Sequence, residues 1–421
     1  MITLIEALNF RCLRYVSRPM DEFHVLVGPN GSGKTTFLDV VAFLGDLLAG
    51  GIEKAVGDRT ANFQDLTWRR EGDSFELAIE ARIPEELRKK LHNRELDTVK
   101  YKVGLCLDAK SQEVELYREE VSLEVASQVQ ASFREAFPGK QATSPEVPLA
   151  PSSNTFQTIL STARGRHAYF YPETSELQNT DRASFTLGPH RSALANLPAD
   201  ESKFPVATWL KSLLSAGVRQ LILNSLLLRH ASPPGRGRVF RSDGSNLPWV
   251  VAELEREAPE RLQEWITHLR TALPDLEAIR TVERQDDKHR YLMLRYRGDI
   301  EIPSWMVSDG TLRLLALTLP AYLPDLSGIY LIEEPENGIH PRAIETMFQS
   351  LSSVYGAQIL LATHSPVVLG LAEPRQLLCF AKTHDGATDI VLGSEHPALA
   401  DWRGEVNLSV LFAAGVLGYG E

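Results

Sequence analysis

Along the first part of the chain, apolar and polar residues alternate at the short spacing that is typical of β-strands. Strands are predicted at residues 1–18, 22–28, 74–83, 99–107 and 112–125. We expect the first two segments to pair with each other and the later three to form an antiparallel sheet. Between these groups, an apolar run that begins at Thr36 predicts a helix that ends near Leu48, because Gly50 and Gly51 follow.

The middle of the chain has a helical pattern instead. Pro, Ser and Ala are abundant between residues 138 and 153, which predicts a mobile loop. Apolar residues then recur at spacings of three and four over residues 204–230 and 249–271, with a Pro-Gly-Arg loop at 233–238 between them. The sequence shows neither an internal repeat nor sustained heptads. It therefore predicts a compact, mostly helical insertion over residues 126–290.

Strand-like segments return in the last third of the chain. They cover residues 290–302, two apolar runs that end in polar residues at 328–335 and 359–366, and shorter stretches near 376–382 and 388–393. An apolar helix is predicted near residues 408–415. The whole pattern predicts an α/β protein in three parts, namely residues 1–125, 126–290 and 291–421.

The segment Gly28-Pro29-Asn30-Gly31-Ser32-Gly33-Lys34-Thr35 fits the phosphate-binding pattern G-x-x-x-x-G-K-[ST] at every specified position. It lies between a predicted strand and a predicted helix, which is the setting that a true site requires. Glycines let backbone N–H groups turn inward around a polyphosphate, and the helix N-terminus adds partial positive charge. Lys34 is expected to reach the β- and γ-phosphates, and Thr35 to bind Mg²⁺. The residues predicted to contact the nucleotide are Asn30, Gly31, Ser32, Gly33, Lys34, Thr35 and Thr36.

Two acids follow the apolar run that begins at residue 328. Ligands of an open α/β sheet bind beyond the carboxyl ends of its strands, so carboxylates at this position suit a nucleotide site. Glu333 is expected to act as the Mg²⁺-linked carboxylate, and Glu334 as the general base that polarises the attacking water. The alternative is a solvated acidic turn, since Glu336 is close by.

Two further segments each allow two interpretations. Ser308 is a good N-cap for an apolar helix from Thr311 to Ala321. It is also the first residue of a Ser-Asp-Gly segment of the kind that offers a hydroxyl and, from Gly310, a backbone N–H to a γ-phosphate held by a second subunit. His364 follows a buried strand and is either a structural hydrogen-bonding residue or a switch histidine that contacts the γ-phosphate and the attacking water.

Taken in this order, the four motifs resemble those of an ATP-binding-cassette (ABC-type) ATPase head. The branch that they resemble is the soluble, DNA-linked one, which comprises RecF, SMC-type heads and the OLD (overcoming lysogenization defect) family. The resemblance covers residues 1–48 and about 303–370 and is faint over 126–290. Its motifs are Asn9-Phe10-Arg11, the phosphate loop, Ser308-Asp309-Gly310-Thr311, the nine residues from Glu333 to Pro341, and Thr363-His364-Ser365-Pro366. Gly188-Pro189-His190-Arg191 is similar to a RecF motif as well.

Three residues depart from the usual pattern of such heads. Glu333 replaces an Asp, Asp309 replaces the Gly that is usual in transporters, and His340 replaces an Asp. All three replacements occur in OLD-like heads, so they indicate the subtype. The resemblance also requires a glutamine in a Q-loop, for which Gln64 is a candidate. An exposed loop amide is the alternative interpretation of Gln64.

The resemblance implies fold, cofactors and partners together. It implies an ABC-type head, which consists of a mixed sheet with helices and an antiparallel subdomain. Such a head uses ATP and Mg²⁺. Two heads would sandwich two ATP molecules, each bound by Lys34 of one copy and Ser308 of the other, in a homodimer or a higher assembly. Hydrolysis of ATP with Glu334 as the base would then release the two heads from each other. OLD-type nucleases carry a further acidic domain, for which the sequence after His364 has no room. We therefore expect a separate effector, such as a nuclease, in antiphage defence or a DNA-linked stress response.

Three alternatives remain open at this point. The first is a stand-alone DNA repair or replication ATPase of the RecF kind. The second is a transporter subunit, against which the long insertion between Lys34 and Ser308 argues, as does Asp309. The third is a degenerate head that binds ATP without hydrolysing it.

DNA is a candidate partner because basic residues cluster in two places. These are Arg229, His230, Arg236, Arg238 and Arg241 in one place, and Arg164, Arg166 and His167 in the other. A flexible Gly-Arg loop can contact phosphates. Aromatic residues are few among these arginines, so base stacking is not indicated. A solvated basic loop is the alternative.

Composition and net charge limit which functions and cellular locations are expected. The formal net charge of −11 argues against a protein that coats nucleic acid with its whole surface. Cys12, Cys106 and Cys379 lie far apart without metal-ligand spacing, which is typical of a reduced cytoplasmic compartment. No apolar stretch is expected to cross a bilayer, so neither export nor a membrane partner is expected.

Overall fold

The computed structural model describes residues 1–126, 136–139, 156–163, 167–174, 182–237, 239–399 and 408. The strands in this part of the chain are β1 (Ile2–Phe10), β2 (Leu13–Pro19), β3 (Phe23–Val27), β4 (Ser74–Arg82), β5 (Thr98–Leu107), β6 (Val114–Glu124), β7 (Phe156–Ala163), β8 (His167–Phe170), β9 (Ala183–Thr186), β10 (Val218–Leu221), β11 (Leu276–Glu283), β12 (Arg290–Tyr296), β13 (Ile300–Pro303), β14 (Gly328–Glu333), β15 (Ala357–Ala362), β16 (Leu377–Lys382) and β17 (Thr388–Leu392). The helices are α1 (Lys34–Gly57), α2 (Glu85–Arg88), α3 (Pro205–Ser215), α4 (Ser225–Arg229), α5 (Leu247–Glu257), α6 (Pro259–Leu269), α7 (Asp309–Thr318), α8 (Pro341–Ser352) and α9 (Pro366–Leu371).

The described strands form three sheets. An antiparallel sheet has the order β2-β1-β4-β5-β6-β7-β8-β9, and a mainly parallel sheet has the order β10-β14-β15-β3-β16-β17. Strands β11, β12 and β13 form a small third sheet that packs on α5 and α6. The α/β fold class predicted from the sequence, a mixed sheet with helices beside an antiparallel sheet, is confirmed.

Helix α1 lies between the two large sheets. It contacts β1 and β4 on one side and β10 and β15 on the other. Residues of the parallel sheet are buried on both faces, since Ile329 and Leu331 join the core around α1, whereas Tyr330 and Ile332 join a second core with α5 to α9. Burial on both faces explains why these strands appear in the sequence as continuous apolar runs.

The pairing of β3 differs from the pairing that was predicted for the first strands. Strands β1 and β2 pair with each other, but β3 lies in the parallel sheet between β15 and β16. All five residues of β3 are buried, which suits a central parallel strand and not the edge of a half-exposed hairpin.

Helix α1 is longer than expected. Gly51 adopts a non-helical conformation with φ 77° and ψ −173°, so the predicted break exists, but the helix continues to Gly57. The helix is also long and apolar enough to cross a membrane, contrary to the expectation. Its apolar side chains, such as Phe37, Val41 and Leu44, are fully buried between the sheets, as in the core helix of a globular protein.

The interval 126–290 is not mostly helical where the structure describes it. Strands β7, β8 and β9 extend the antiparallel sheet, and β11 begins the third sheet. The predicted helix 204–230 divides into α3, β10 and α4. Strand β10 is only four residues long, which is too short to show the alternation of apolar and polar residues that indicates a strand. Its backbone pairs in parallel with β14. The predicted loop beyond residue 139 and the predicted helix after residue 408 lie outside the described residues.

A single amide joins the two large sheets near the chain start. The Gln358 side chain accepts a hydrogen bond from the Ile2 backbone N–H at 3.0 Å and donates to the Ile2 carbonyl at 2.9 Å. It also donates to the Asp21 carbonyl at 2.7 Å. Gln358 is fully buried, so this contact fixes β15 against the start of β1 in a region without water.

Candidate active site

The phosphate loop connects β3 to α1 in a conformation that depends on glycine. Gly28, Gly31 and Gly33 have φ values of 150°, 73° and 107°. A Cβ atom at Gly28 would lie 2.3 Å from the Phe380 carbonyl oxygen, and one at Gly33 would lie 2.3 Å from Thr388 Oγ1. Gly33 is the N-cap of α1 and supplies no side-chain cap, so the first N–H groups of the helix stay available to an anion.

Lys34 is held by the loop itself. Its Nζ donates to the Gly28 carbonyl at 2.8 Å and to the Pro29 carbonyl at 3.0 Å. Burial lowers the pKa of Lys34 to about 8, while the nearby Glu334 and Glu333 carboxylates oppose that shift. A phosphate would provide the strong counter-charge that the two neutral carbonyls do not provide.

A cavity of about 190 Å³ brings most of the predicted residues together. The phosphate loop, the end of β14 and the end of β15 meet here because the carboxyl ends of parallel strands share one edge of the sheet. The lining residues are Cys12, Asn30, Gly31, Gly33, Lys34, Thr35, Thr36, Glu333, Glu334, Ala362 and His364. Ser32 does not line the cavity; it is buried under the loop, and its carbonyl accepts a hydrogen bond from Thr388 Oγ1 at 2.9 Å.

An oxygen-rich group marks the place expected for Mg²⁺. Thr35 Oγ1 donates to Glu333 Oε2 at 2.5 Å. A hydroxyl and a carboxylate are ligands that suit Mg²⁺, which usually completes its shell with water and substrate phosphates. No cluster of three or more His, Cys, Asp or Glu residues forms a metal site in the described part of the chain. The site therefore fits a metal that is shared with a phosphate chain.

Gln220 is a site residue that the sequence analysis missed. Its Nε2 lies 3.5 Å from Glu333 Oε1, because β10 pairs with β14 at the sheet edge. Gln64, the candidate from sequence, is exposed in a short 3-10 helix at Phe63–Leu66 and does not line the cavity. The structure thus brings Gln220, and not Gln64, to Glu333, the carboxylate that was expected to bind Mg²⁺. The signal was hidden because β10 lay inside a predicted helix.

Glu334 has a left-handed backbone with φ 47°. This conformation is uncommon for a residue other than glycine, and such outliers concentrate at functional sites. The Glu334 carboxylate accepts a hydrogen bond from Asn337 Nδ2 at 2.5 Å, and its backbone N–H donates to the Ala362 carbonyl at 2.8 Å. The acid that follows β14 is therefore fixed beside the cavity.

His364 and its neighbours, in the loop after β15, form another side of the cavity. Thr363 Oγ1 and the His364 backbone N–H both donate to Glu336 Oε1, at 2.5 and 3.2 Å. Glu336 thus joins the loops after β14 and β15, a role that the sequence did not indicate. Burial and the Lys34 charge lower the pKa of His364, although Glu334 and Glu336 oppose the shift. The lowered pKa favours the neutral imidazole, in which one ring nitrogen donates a hydrogen bond and the other accepts one.

The Ser-Asp-Gly segment lies outside the cavity. Ser308 Oγ accepts the Thr311 backbone N–H at 3.2 Å, so the predicted N-cap of α7 is confirmed. A Cβ atom at Gly310 would lie 2.4 Å from the Gly338 carbonyl, which only glycine allows. Asp309 forms an ion pair with Arg229 at 2.7 Å. Neither Ser308 nor Gly310 lines the cavity of its own chain.

The candidate DNA-contacting residues are dispersed. Arg229 is held by Asp309, and Arg241 lies 3.9 Å from Asp243. His230 contacts the Leu226 carbonyl at 2.6 Å, and His167 is exposed on β8. Arg164, Arg166 and Arg238 lie outside the described residues.

The comparisons with known proteins agree with this geometry. The family model described as "AAA domain, putative AbiEii toxin, Type IV TA system" matches residues 23–370. The chain belongs to this family. No curated protein sequence matches the chain. The match to an AAA domain makes this chain an ATPase, and its fold is that of an SMC-type, ABC-type ATPase head.

Three solved structures are similar in fold. An SMC head bound to the C-winged helix domain of ScpA has a TM-score of 0.52 at 14% identity, over 93% of this chain and 97% of that one. The SMC head with an extended coiled coil from Pyrococcus furiosus, bound to the C-terminal domain of ScpA, has 0.47 at 11%, over 93% and 95%. The SMC head from Thermotoga maritima has 0.42 at 12%, over 93% and 98%.

Proposed function

We propose that two copies of this ATPase form a homodimer that encloses two ATP molecules. One observation carries the proposal: a single cavity collects Lys34, Thr35, Glu333, Glu334 and His364, whereas Ser308 and Gly310 lie elsewhere on the same chain. Ser308 is exposed, so its hydroxyl is accessible to the cavity of a second copy. The γ-phosphate would then join the two copies, which makes ATP the switch for dimer formation.

Each residue around the cavity has a task in hydrolysis. Lys34 binds the phosphate chain, and Thr35 and Glu333 would hold Mg²⁺. Gln220, which lies outside the cavity lining, would orient Glu333 through its contact at 3.5 Å. Bound Mg²⁺ neutralises phosphate charge. Glu334 takes a proton from the attacking water as general base, and neutral His364 orients that water by a hydrogen bond.

We further propose that the dimer regulates a separate effector, such as a nuclease, in bacterial antiphage defence or a DNA-linked stress response. The description of the matching family, which names a toxin of a type IV toxin–antitoxin system, supports a role of this kind. A switch that opens and closes with ATP is suited to controlling another protein, because the two states expose different surfaces.

The first test is the variant Glu334→Gln. It keeps the size of the side chain and removes the base, so it should bind ATP and not hydrolyse it. We expect a stable dimer with Mg-ATP by light scattering after gel filtration, and only monomer for Lys34→Ala. Glu345→Gln on the exposed face of α8 is the matched control. Monomer in every sample would contradict the sandwich.

The steady-state ATPase rate, with and without linear duplex DNA, separates the two kinds of role. A slow rate that is indifferent to DNA and absent in Lys34→Ala supports a subunit that depends on a partner. Strong stimulation by DNA would favour a stand-alone DNA repair ATPase of the RecF kind instead.

A further inference from the structure

A second depression of about 460 Å³ lies beside helix α5, on residues that do not line the ATP cavity. We call it the tryptophan groove. Its walls are the Gly-Arg loop at residues 235–237, the face of α5 that carries Trp249, and the start of β12 at Arg290. Three arginines from separate elements, Arg236, Arg256 and Arg290, line this groove together with Trp249 and Glu253.

Trp249 and Arg290 lie in contact with each other in this groove. The Arg290 guanidinium lies 4.7 Å from the centre of the Trp249 ring. The indole is fixed by a hydrogen bond from its Nε1 to the Ser232 carbonyl at 3.2 Å. Arg290 is oriented by Thr281 Oγ1 and by Glu283, at 2.9 and 2.7 Å. A held indole and a held guanidinium are both surfaces on which nucleobases stack.

One hydrogen-bond donor in this surface is unused. Arg290 Nε is buried and has no hydrogen-bond partner, although both terminal nitrogens of the same guanidinium have one. Buried donors without a partner are rare in proteins, and a bound ligand is one explanation for them. This donor belongs to a residue that lines the groove.

The loop adds a positive charge, Arg236, to a groove that Glu253 also lines. Arg236 is exposed, and within the described residues no hydrogen bond or ion pair engages it. In contrast, Arg256 is engaged by Glu253 and Glu257 at 2.6 and 2.7 Å. Gly235 and Gly237 have φ values of 80° and 79° with open space at each Cβ position, so a ligand can approach the loop backbone closely.

We propose that the tryptophan groove binds single-stranded nucleic acid. A base lies against the Trp249–Arg290 surface, and a backbone phosphate contacts Arg236. The scarcity of aromatic residues among the arginines argued against stacking in the sequence, but the fold supplies Trp249 from a separate helix. A duplex does not satisfy this geometry, because its bases are already stacked on each other. The proposal is independent of the ATP-dependent dimer.

Fluorescence anisotropy of a labelled oligothymidylate tests the proposal with the full chain. Trp249→Leu should weaken binding by about 5- to 100-fold, as loss of one stacked base does. Arg236→Ala should weaken binding and lower the slope of log affinity against log salt by about 0.7, as loss of one phosphate contact from a single strand does. Arg297→Ala, an exposed arginine at the far end of β12, is the control that should bind normally.

The competing outcomes are distinct. Unchanged binding in Arg236→Ala and Trp249→Leu overturns the proposal, and Arg236→Ala remains informative if the tryptophan variant fails to fold, since Arg236 is exposed. Displacement of the oligonucleotide by an equal concentration of AMP overturns the nucleic-acid assignment in favour of a free nucleotide. Equal affinity for duplex DNA overturns the preference for a single strand. An oligouridylate in parallel shows whether the strand is RNA or DNA.

Discussion

Glu333 is the residue on which polar side chains from two other elements converge. Thr35 approaches one carboxylate oxygen at 2.5 Å, and Gln220 approaches the other at 3.5 Å. The two neighbours come from opposite sides of β14, one from the phosphate loop helix and one from the sheet edge. Under the proposed function, their positions relative to Glu333 therefore decide how well this carboxylate would be aligned for Mg²⁺.

We predict that Gln220→Ala lowers the ATPase rate at limiting Mg²⁺ by about 10- to 100-fold, because losing a partner of a metal ligand has effects of this size. Excess Mg²⁺ should restore part of the rate, and ATP binding without metal should be unaffected. The measurement is the hydrolysis rate as a function of Mg²⁺ concentration. Gln64→Ala tests the sequence-based alternative in the same assay, and a larger effect from Gln64 would contradict the assignment of Gln220.

Sequence motifs identified those site residues whose positions in the chain are fixed relative to the end of a strand. Lys34 and Glu334 come after buried apolar strands and Glu333 ends one, so the sequence predicted that they lie close together, and the structure has them around one cavity. Gln220 could not be found in this way. It depends on the pairing of β10 with a strand far away in the chain, and no local pattern encodes that pairing.

His396 makes stability depend on pH. It is 1% exposed, its Nδ1 accepts the Ala398 backbone N–H, and its ring packs on Phe137 at 5.0 Å between centres. Burial lowers the pKa of His396 to about 4. An unfolded histidine has a pKa near 6.5, so the stability that is present above pH 6.5 is lost as the pH falls towards 4.

We predict that this residue alone removes about 2 kcal/mol of the free energy of unfolding between pH 7 and pH 5. Urea unfolding at the two pH values measures the difference. His396→Gln should remove this part of the pH dependence, and His384→Gln, at an exposed position, should not. An identical pH dependence in wild type and His396→Gln would show that the imidazole remains protonatable in the folded state.

At the scale of elements, the phosphate loop depends on a strand from the other end of the chain. Thr388 at the start of β17 closes over Gly33, and its Oγ1 donates to the Ser32 carbonyl at 2.9 Å. The loop is therefore shaped by its contacts with β16 and β17 as well as by its own glycines.

We predict that Gly33→Ala weakens ATP binding by about 5- to 100-fold, because both the left-handed backbone and the contact with Thr388 become strained. Isothermal titration with a non-hydrolysable ATP analogue measures this. Gly57→Ala, at the end of the same helix with open space around it, is the matched control. Equal affinity in the two variants would mean that the loop can relax away from β17.

Outside residues 126–290 the sequence predicted the strands at nearly the right bounds, but within that interval it did not predict β7, β8, β9, β10 or β11. It misassigned β3 and β10 for different reasons. The run at β3 is apolar throughout, so the pattern gives no indication of which sheet it joins. Strand β10 has four residues, and the helices on either side impose their spacing on it.

At the scale of the whole molecule, the two large sheets are joined where β1 begins. Gln358 is buried there and satisfies three backbone groups of Ile2 and Asp21. No sequence pattern distinguishes this glutamine from a surface amide, which is why the stacking of the sheets could not be predicted although the α/β class could.

We predict that Gln358→Leu destabilises the protein by about 2 to 4 kcal/mol, because buried backbone groups lose their partners. Thermal and urea unfolding measure the loss. Gln349→Leu on the exposed side of α8 should leave stability within about 0.5 kcal/mol of wild type. A small effect at Gln358 would show that water replaces the amide at this junction.

The position of β3 has a consequence for when the nucleotide site can form during protein synthesis. Both neighbours of β3, and Thr388 above the phosphate loop, belong to the stretch from Ala357 to Leu392. About 360 residues separate Lys34 from the end of that stretch, which a ribosome takes roughly 20 to 70 seconds to add. During that time the nascent chain already contains its ATP-binding motif without the strands that shape it. We therefore expect the growing polypeptide to bind nucleotide only after β15, β16 and β17 have emerged.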